Sequence, residues 1–271
     1  MRTSPLLRGA LILGVAAVVL RLERTRRARG YVENILTHTA RNLVVAGIAA
    51  VTVQTLEAPV VVPLARVVAR RRWGLTAGIR SAWLRDLTAI VLLDYTLYLW
   101  HIVVHRMPWL WRFHLPHHVD LDLDASTGLR FHAGELAMSV PWRAAQVAAI
   151  GASPRALAAW QSLTLASVLF HHSNVRLSAR TERVLSWLVA TPGMHAIHHS
   201  VDPTRMQSNF SSGLAVWDRL HRTFLRDAEP EQIVVGVPGH LDREDASLTK
   251  ILALPFSDRA RPGPGDRQAT R

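Results

Sequence analysis

Histidine clusters constrain this chain more than any other feature of its sequence. Eleven of the fourteen histidines lie between His101 and His199. They form the clusters His101-x3-His105, His114-x2-His117-His118, His171-His172 and His195-x2-His198-His199, with His132 alone between the second and the third. On a helix, side chains three or four residues apart share one face. If these rings act together, the fold has to bring four separate segments to one place.

The chemistry of the rings indicates a metal site. Neutral imidazole is a good ligand for iron, zinc, copper and nickel. The chain has no cysteine, which excludes a thiolate site, an iron–sulfur cluster and a disulfide. The clusters also supply more ligands than one tetrahedral zinc ion uses.

The spacing indicates two metal ions. In a His-x2-His-His motif the first two histidines share a face, and the third points about 100° away. One such motif can therefore serve two ions, and two motifs with a helical pair supply eight ligands. The alternative, that these are ordinary surface or core histidines, leaves the repeated motif unexplained.

Five apolar segments accompany the histidines, at residues 6–20, 43–65, 87–104, 136–152 and 157–170. A membrane-spanning helix needs about 20 apolar residues. The first segment is short and no small-residue cleavage site follows it, so we predict an uncleaved anchor. The second contains Gln54, Glu57 and two prolines, and either a full span or a re-entrant segment fits it.

The turn at residues 151–154 (GASP) predicts that the last two segments form a helical hairpin. The third segment ends at His101 and His105, and the hairpin returns to the same side with His171 and His172. All clusters then converge on one side of a membrane. We predict an all-α fold, a multi-pass membrane helical bundle whose histidine-rich di-metal site is capped by a helical cytosolic region.

The placement of charge favours a membrane over nucleic acid. The formal net charge is +12, a value common in nucleic-acid-binding proteins. Here the arginines concentrate at residues 21–29 and 66–72, beside apolar segments. That position suits the anionic surface of a membrane, so we expect no nucleic-acid partner.

Six stretches carry the motifs, namely residues 100–106 (WHIVVHR), 110–118 (LWRFHLPHH), 129–135 (LRFHAGE), 172–174 (HSN), 191–200 (TPGMHAIHHS) and 217–220 (WDRL). In order and spacing they resemble the fatty acid hydroxylase superfamily, also called the sterol desaturase family. The resemblance covers residues 94–224 and is specific to the superfamily, not to one member. It implies a membrane-embedded non-haem di-iron oxidoreductase that acts on lipids with O2 and external electrons.

The resemblance also implies the site residues. The metal ligands it implies are His101, His105, His114, His117, His118, His172, His195, His198 and His199. In the family the stretch with His132 and Glu135 lies near the metals. His132 is therefore a ligand or part of the pocket wall, while Glu135 either acts at the site or favours the N-terminus of the next helix.

Two further polar residues are candidates for the catalytic site. Asn174 either hydrogen-bonds a ligand or a bound water, or is a turn residue. Asp94 lies in an apolar segment, where a carboxylate is costly. It either orients a histidine or pairs with an arginine. His171 is expected at most to support its neighbour His172.

The remaining histidines, His38, His221 and His240, are predicted to be ordinary surface residues. The chain is expected to divide into membrane-anchoring helices at residues 1–80, a fatty acid hydroxylase-type catalytic domain at 81–226, and a polar extension at 227–271. We expect this extension to be partly disordered, with disorder over residues 256–271.

The function that follows from the resemblance is hydroxylation, or desaturation, of a C–H bond in a lipid such as a sterol or fatty acyl chain. Two iron ions are the implied cofactor, with zinc as a substitute in purified protein. No dinucleotide-binding fingerprint is present, so a separate ferredoxin or cytochrome with its reductase is implied. We expect a multi-pass membrane location, the cell membrane in a bacterium, with the histidines on the cytoplasmic side.

Two readings from other classes stay open. A histidine-rich membrane protein for metal binding or transition-metal transport is the first, although transporters place their ligands near the middle of the membrane. A zinc hydrolase is the second, although the chain has no His-Glu-x-x-His motif.

Overall fold

The computed structural model describes residues 5–260, which form helices and turns with three isolated β-bridges and no strand. The all-α prediction is confirmed for these residues. The helices are α1 (Pro5–Thr25), α2 (Ile35–Thr52), α3 (Ala58–Arg71), α4 (Ala82–Arg106), α5 (Pro108–His118), α6 (Ala133–Ile150), α7 (Pro154–His171), α8 (Ala179–Leu185), α9 (Pro192–His198), α10 (Pro203–Met206), α11 (Val216–Leu220) and α12 (Leu248–Ala253).

Two helices of the described chain are long and apolar enough to cross a membrane, judged by length and composition. One is α4, and the other is the continuous helix Ile35–Arg71 of 37 residues. In the second, a π-helical turn, Val53–Glu57, joins α2 to α3. Pro59, two residues after this turn, lacks the N–H that an α-helix needs, and the wider turn accommodates this break. The segment therefore continues in one direction through its polar residues and does not reverse.

The predicted hairpin of α6 and α7 is present. Gly151 ends α6 with φ +85°, and Ser153 begins α7 by accepting a hydrogen bond from the N–H of Ala156 at 3.0 Å. A Cβ at position 151 would lie 2.3 Å from the carbonyl oxygen of Trp73, so only glycine fits both the φ angle and this close approach.

Long helices alternate in direction and pack into one bundle. α3 packs on α6, and both α4 and α1 pack on α7. The core between them is apolar and consists of Val61, Ala65, Ala89, Leu93, Val147, Ile150, Ala152, Ala156, Leu157 and Trp160. This packing brings the last turns of α1, α4 and α7 and the first turn of α2 to one end, which we call the histidine end. α5, the loop that follows it and residues 172–260 cover this end, and we call them the cap.

The expected disorder after residue 256 is wrong for the residues that the structure describes. Residues 254–256 and 258–260 form short 3-10 turns, and Leu254 and Ala260 pack against Leu115 and Val119 of the cap. Arg112 adds two hydrogen bonds to backbone carbonyls at 255 and 257. The composition is polar, but a few apolar side chains are enough to anchor the segment. Residues 261–271 lie outside the described range.

Candidate metal centre

Four elements deliver the histidines to one buried place. α4 presents one helical pair, α5 and α9 each present a His-x2-His-His motif, and His172 follows the last residue of α7. The structure brings all nine predicted ligands into two groups, within each of which one nitrogen per residue lies within 4.8 Å of the others. The first group is His101, His105, His114, His118 and His198, and the second is His117, His172, His195 and His199.

Each His-x2-His-His motif serves both groups. In α5, His114 and His118 face the first group while His117 faces the second. In α9 the division is reversed, because His198 joins the first group while His195 and His199 join the second. The prediction that one motif serves two groups is confirmed, but the predicted division is wrong. In both motifs the first and third histidines, four residues apart, share a group, and the second faces the other group.

The spacing of the nitrogens suits ligands around a metal ion. The Nε2 atoms of His114 and His118 are 3.2 Å apart. In the second group, Nε2 of His172 lies 3.0 Å from Nε2 of His117 and 3.0 Å from Nε2 of His195. Metal–nitrogen bonds of about 2.0–2.1 Å place adjacent ligands roughly 3 Å apart. The residues present therefore fit a pair of metal ions.

Four of the nine rings are oriented by hydrogen bonds on their outer nitrogen, Nδ1. The partners are the carbonyls of Phe210 for His101 (2.8 Å), Ser208 for His198 (2.7 Å) and Val168 for His172 (3.0 Å), and the carboxylate of Glu135 for His114 (3.0 Å). Such outer partners select the tautomer and the ring orientation of a metal ligand. They leave Nε2 of each ring directed into its group.

Several ring nitrogens in the groups have no hydrogen-bond partner although they are buried. Nε2 of His101, His198 and His199 are examples. A buried polar atom without a partner costs about 1–3 kcal/mol, and a bound cation would remove that cost. The unpartnered atoms are thus a second observation that fits a metal site.

The protonation state suits metal binding. Burial lowers the pKa values of His117, His118, His195 and His199 well below the usual range. For His172 the value falls to about 3, with burial as the main cause. The rings are therefore neutral at physiological pH, and each has a lone pair available for a metal.

The structure gives Glu135 a positioning contact. It lies in the first turn of α6 and accepts a hydrogen bond from Nδ1 of His114 while 5% exposed. A carboxylate behind a ligating imidazole raises the basicity of that ligand. Glu135 thus lies in the first turn of a helix and also contacts one of the predicted ligands.

Of the two sequence alternatives for His132, a ligand or part of the pocket wall, the contacts of its ring contradict the ligand. Its Nδ1 accepts a hydrogen bond from the N–H of Gly134 at 3.0 Å, which caps the start of α6. Its Nε2 lies 3.2 Å from the carbonyl of Leu252 in α12 and donates to it. Both ring nitrogens are engaged outside the two groups, so none remains for a metal ion.

Asn174 fastens backbone segments and does not reach the histidine groups. Its side-chain oxygen accepts from the N–H of Arg29, and its amide donates to the carbonyl of Arg29, both at 2.9 Å. The backbone N–H of Asn174 donates to Glu23 at 2.8 Å. The predicted hydrogen bond to a histidine ligand is absent from the described contacts, because the side chain bonds to the backbone of Arg29 instead.

Neither sequence alternative for Asp94 is correct. Its Oδ2 accepts from the backbone N–H of Leu214 at 3.0 Å and from the indole N–H of Trp217 at 2.7 Å. A Cβ at Gly213 would lie 2.0 Å from its other oxygen. Asp94 thus ties α4 to the loop at 213–217, with no histidine or arginine among its hydrogen-bond partners in the described chain.

Asp218 is a site residue to which the sequence pattern assigned no role. It is fully buried and accepts hydrogen bonds from the backbone N–H groups of Phe210 (2.8 Å) and Ser211 (3.0 Å). The carbonyl of Phe210 in turn holds His101. Burial raises the pKa of Asp218, which its hydrogen bonds partly offset. The WDRL stretch at residues 217–220 could have indicated this role, because its aspartate belongs to one of the six motifs.

Two of the three histidines predicted to be surface residues are buried. His38 is 0% exposed and lies between Asp120 (2.9 Å) and Asp124 (3.3 Å), while Arg130 contacts Asp120 at 3.2 Å. Burial alone would raise the pKa of Asp120, but Arg130 and His38 lower it. This ionic cluster supports the loop that follows the α5 motif. His240 is 5% exposed.

His171 is buried beside the second group without belonging to it. Its ring centroid lies 4.2 Å from that of His195 and 4.6 Å from that of His172. This position agrees with the supporting role expected from the sequence.

Comparison with known proteins places the chain in a family. The model of the fatty acid hydroxylase family matches residues 87–223, about half of the chain, and this range contains all nine histidines of the two groups. The chain belongs to the fatty acid hydroxylase family. No solved structure matches it.

Relatives among well-described proteins are lipid enzymes by name. The ornithine lipid hydroxylase of Rhizobium tropici is 28% identical over 173 residues, which are 64% of this chain and 50% of that protein. The alkylglycerol monooxygenase of Homo sapiens is 26% identical over 55% of this chain and 32% of its own length. A cholesterol 25-hydroxylase-like protein of Danio rerio is 28% identical over 54% and 57%. The chain thus spans about half the length, or less, of most of these relatives.

Proposed function

We propose that this protein is a membrane-bound non-haem di-iron oxidoreductase that uses O2 and external electrons to hydroxylate a lipid C–H bond. The observation that carries the proposal is the pair of buried histidine groups at one end of a bundle of apolar helices. Family membership supports the same chemistry. Desaturation at the same site differs only in the fate of the oxidised carbon and is the alternative outcome.

The residues of the chain have defined tasks in this proposal. The five-histidine group holds one iron and the four-histidine group holds the other. Bound iron supplies the activation of O2, which no protein side chain provides. In hydroxylation one oxygen atom of O2 would be inserted into the C–H bond, and the other would be reduced to water by two electrons from the external donor and two protons. Glu135, Asp218 and the carbonyls of Ser208 and Phe210 orient the rings, and the cap keeps bulk water out.

A multi-pass membrane position accounts for the exposed apolar side chains of the bundle. Several leucine and valine side chains on the outside of the bundle are more than half exposed, namely Leu11, Leu13, Leu43, Val51 and Leu163. Exposing apolar surface to water is unfavourable, and contact with lipid would remove that free-energy cost. In the proposed arrangement α1, the helix from α2 to α3, α4, α6 and α7 span the membrane. The histidine end then faces the cytoplasm. A lipid substrate reaches it from the bilayer.

The names of the relatives support a lipid substrate, because they are an ornithine lipid hydroxylase, an alkylglycerol monooxygenase and a cholesterol 25-hydroxylase-like protein. We propose a sterol or an acyl lipid for this chain. Electrons come from a separate ferredoxin or cytochrome with its reductase, which docks on the basic surface. The proposal also keeps the division of the chain into anchoring helices at residues 1–80, a catalytic domain at 81–226 and a C-terminal extension at 227–271.

Metal analysis of the full chain in detergent tests the centre. We expect close to two irons per chain, and loss of lipid oxidation in His117→Ala and His198→Ala. The exposed His221, changed to alanine, is the matched control and keeps both. One firmly bound zinc would favour a hydrolase. Metal-dependent uptake into vesicles without lipid oxidation would favour a transporter.

Comparison of lipid extracts identifies the substrate. A strain lacking the gene is compared with its parent and with a strain that carries His198→Ala. We expect lipids that differ by one oxygen atom, and lipids that differ by two hydrogens if the enzyme desaturates. Identical extracts from all three strains would contradict the proposed activity.

A further inference from the structure

A pocket of about 540 Å³ lies at the C-terminal end of α1, and no residue of the two histidine groups lines it. The residues that line it are Arg24, Thr25, Arg26, Arg27, Arg176, Leu177 and Ser178. Four of the seven are arginines, so the pocket is strongly basic.

Most of this positive charge has no carboxylate partner within the described chain. Arg176 pairs with Glu231 at 2.5 Å, but no described acidic group lies within ion-pair distance of Arg24, Arg26 or Arg27. All four arginines are exposed. Positive charges that face one pocket repel one another, which is unfavourable. A bound anion would replace this repulsion with attraction.

The walls of the pocket are held together by backbone contacts. The N–H of Arg176 donates to the carbonyl of Arg26 at 2.6 Å, and Arg27 forms an antiparallel bridge with Val175. The N–H of Ala28 donates to Asn174 at 2.9 Å. The two arginine-bearing segments therefore keep a fixed relation, which reduces the ordering cost of binding.

The position of the pocket along α1 indicates where its ligand resides. The apolar part of α1, residues 6–20, covers roughly 22 Å at 1.5 Å per residue, somewhat less than the hydrocarbon layer of about 30 Å. Leu11, Leu13 and Val18 face outward from it, each more than half exposed. The pocket begins where this apolar surface ends, at the level of lipid headgroups.

We propose that this pocket binds the phosphate of an anionic membrane phospholipid. The guanidinium fork matches two phosphate oxygens, which favours arginine over lysine at such a site. The inference rests on the membrane placement proposed above and is independent of iron and of lipid oxidation. A soluble phosphate ester offers the same chemistry from water, and the experiment separates the two sources.

The test measures lipid retained by the full-length protein. The protein is purified in mixed micelles with phosphatidylglycerol or phosphatidylcholine, and bound lipid is counted by native mass spectrometry. We expect preferential retention of phosphatidylglycerol. In the double variant Arg26→Gln, Arg27→Gln we expect its affinity to fall at least about tenfold, because the charged hydrogen bonds from two guanidinium groups to the phosphate are lost.

Arg66→Gln, Arg70→Gln is the matched control, because both arginines are exposed at the opposite end of the bundle. It should retain phosphatidylglycerol as the unchanged protein does. Equal losses in both double variants would overturn the proposal, since they would reflect net charge alone. Equal retention in all three proteins would overturn it too.

Two further readouts separate the alternatives. Millimolar inorganic phosphate should leave the retained lipid in place, and displacement by phosphate alone would overturn the lipid source. A single-stranded oligonucleotide that bound the unchanged protein and not the variant would assign the pocket to nucleic acid instead. Unchanged iron content and thermal unfolding in the variant show that failure here does not touch the proposed iron centre.

Discussion

Asp218 shows how a single carboxylate outside the histidine groups can determine their geometry. It fixes the backbone at 210 and 211, and the carbonyl of Phe210 then holds His101. Thr223 also donates to Asp218, at 2.7 Å. The side chain touches no histidine, so its influence on metal binding is positional.

Replacing Asp218 with asparagine tests this role. The amide has one acceptor oxygen in place of two, and its NH2 group faces backbone donors. We expect a loss of about 1–3 kcal/mol in the free energy of unfolding and a lower iron content at the five-histidine group. Iron is measured by elemental analysis and stability by thermal unfolding. Asp242→Asn, an exposed aspartate, should change neither, and an unaltered Asp218→Asn protein would contradict the role.

Glu135 and His132 lie three residues apart but should behave differently. Glu135→Ala removes the partner of His114, and we expect iron affinity to fall about 10–100-fold, while Glu135→Gln keeps most of it. His132→Asn preserves a good helix cap and should leave affinity unchanged. Competition with an iron chelator measures both. Iron loss in His132→Asn would restore His132 to the ligands.

The turn of the α6–α7 hairpin is an element whose stability depends on one residue. Gly151→Ala places a Cβ 2.3 Å from the Trp73 carbonyl at a positive φ. We expect at least about 2 kcal/mol less stability, because the contact is with backbone and cannot relax by a side-chain rotation. Gly78→Ala is the control, since a Cβ there meets nothing within 4 Å. Equal melting temperatures would contradict the account.

Periodicity explains why some elements were predictable and others were not. The pairing of His101 with His105, and the fact that each motif serves two groups, follow from helix geometry. Which two histidines of a motif share a group did not, because residues three apart and residues four apart both lie close to one face of a helix. The hairpin followed from local turn chemistry. The cluster around His38 did not, because Asp120 is 82 residues away in the chain and such pairing is set by tertiary packing. The same applies to Asp94, whose partners come from the loop at 213–217.

The prediction of disorder near the C-terminus failed because a mainly polar composition gives little weight to the few apolar residues that anchor the segment. The segment up to residue 260 looked too polar to pack, yet Ile251 and Ala260 are fully buried. His132 was assigned through its neighbourhood in the motif, and only the positions of Gly134 and Leu252 show where its ring nitrogens go.

At the scale of the whole molecule, the proposed membrane arrangement would place the two ends of the bundle on opposite membrane faces, because the long helices alternate in direction. The chain lacks cysteine, so single cysteines report sidedness without a background. We expect a membrane-impermeant thiol reagent to label Glu229→Cys, at the histidine end, only after cells are opened. Gly78→Cys, at the other end, should be labelled in intact cells. The reverse pattern would invert the proposed orientation, and labelling of both in intact cells would refute the span.

The histidine groups draw on α4, α5, α9 and the residue after α7, which are parts of the chain that lie far apart in sequence. A pair of cations bound there would link the bundle to the segments that cover it, so metal binding would add directly to the stability of the fold. A chain made during iron starvation would lack this link. If the proposed centre is correct, the lifetime of the protein in a cell should follow the supply of its metal.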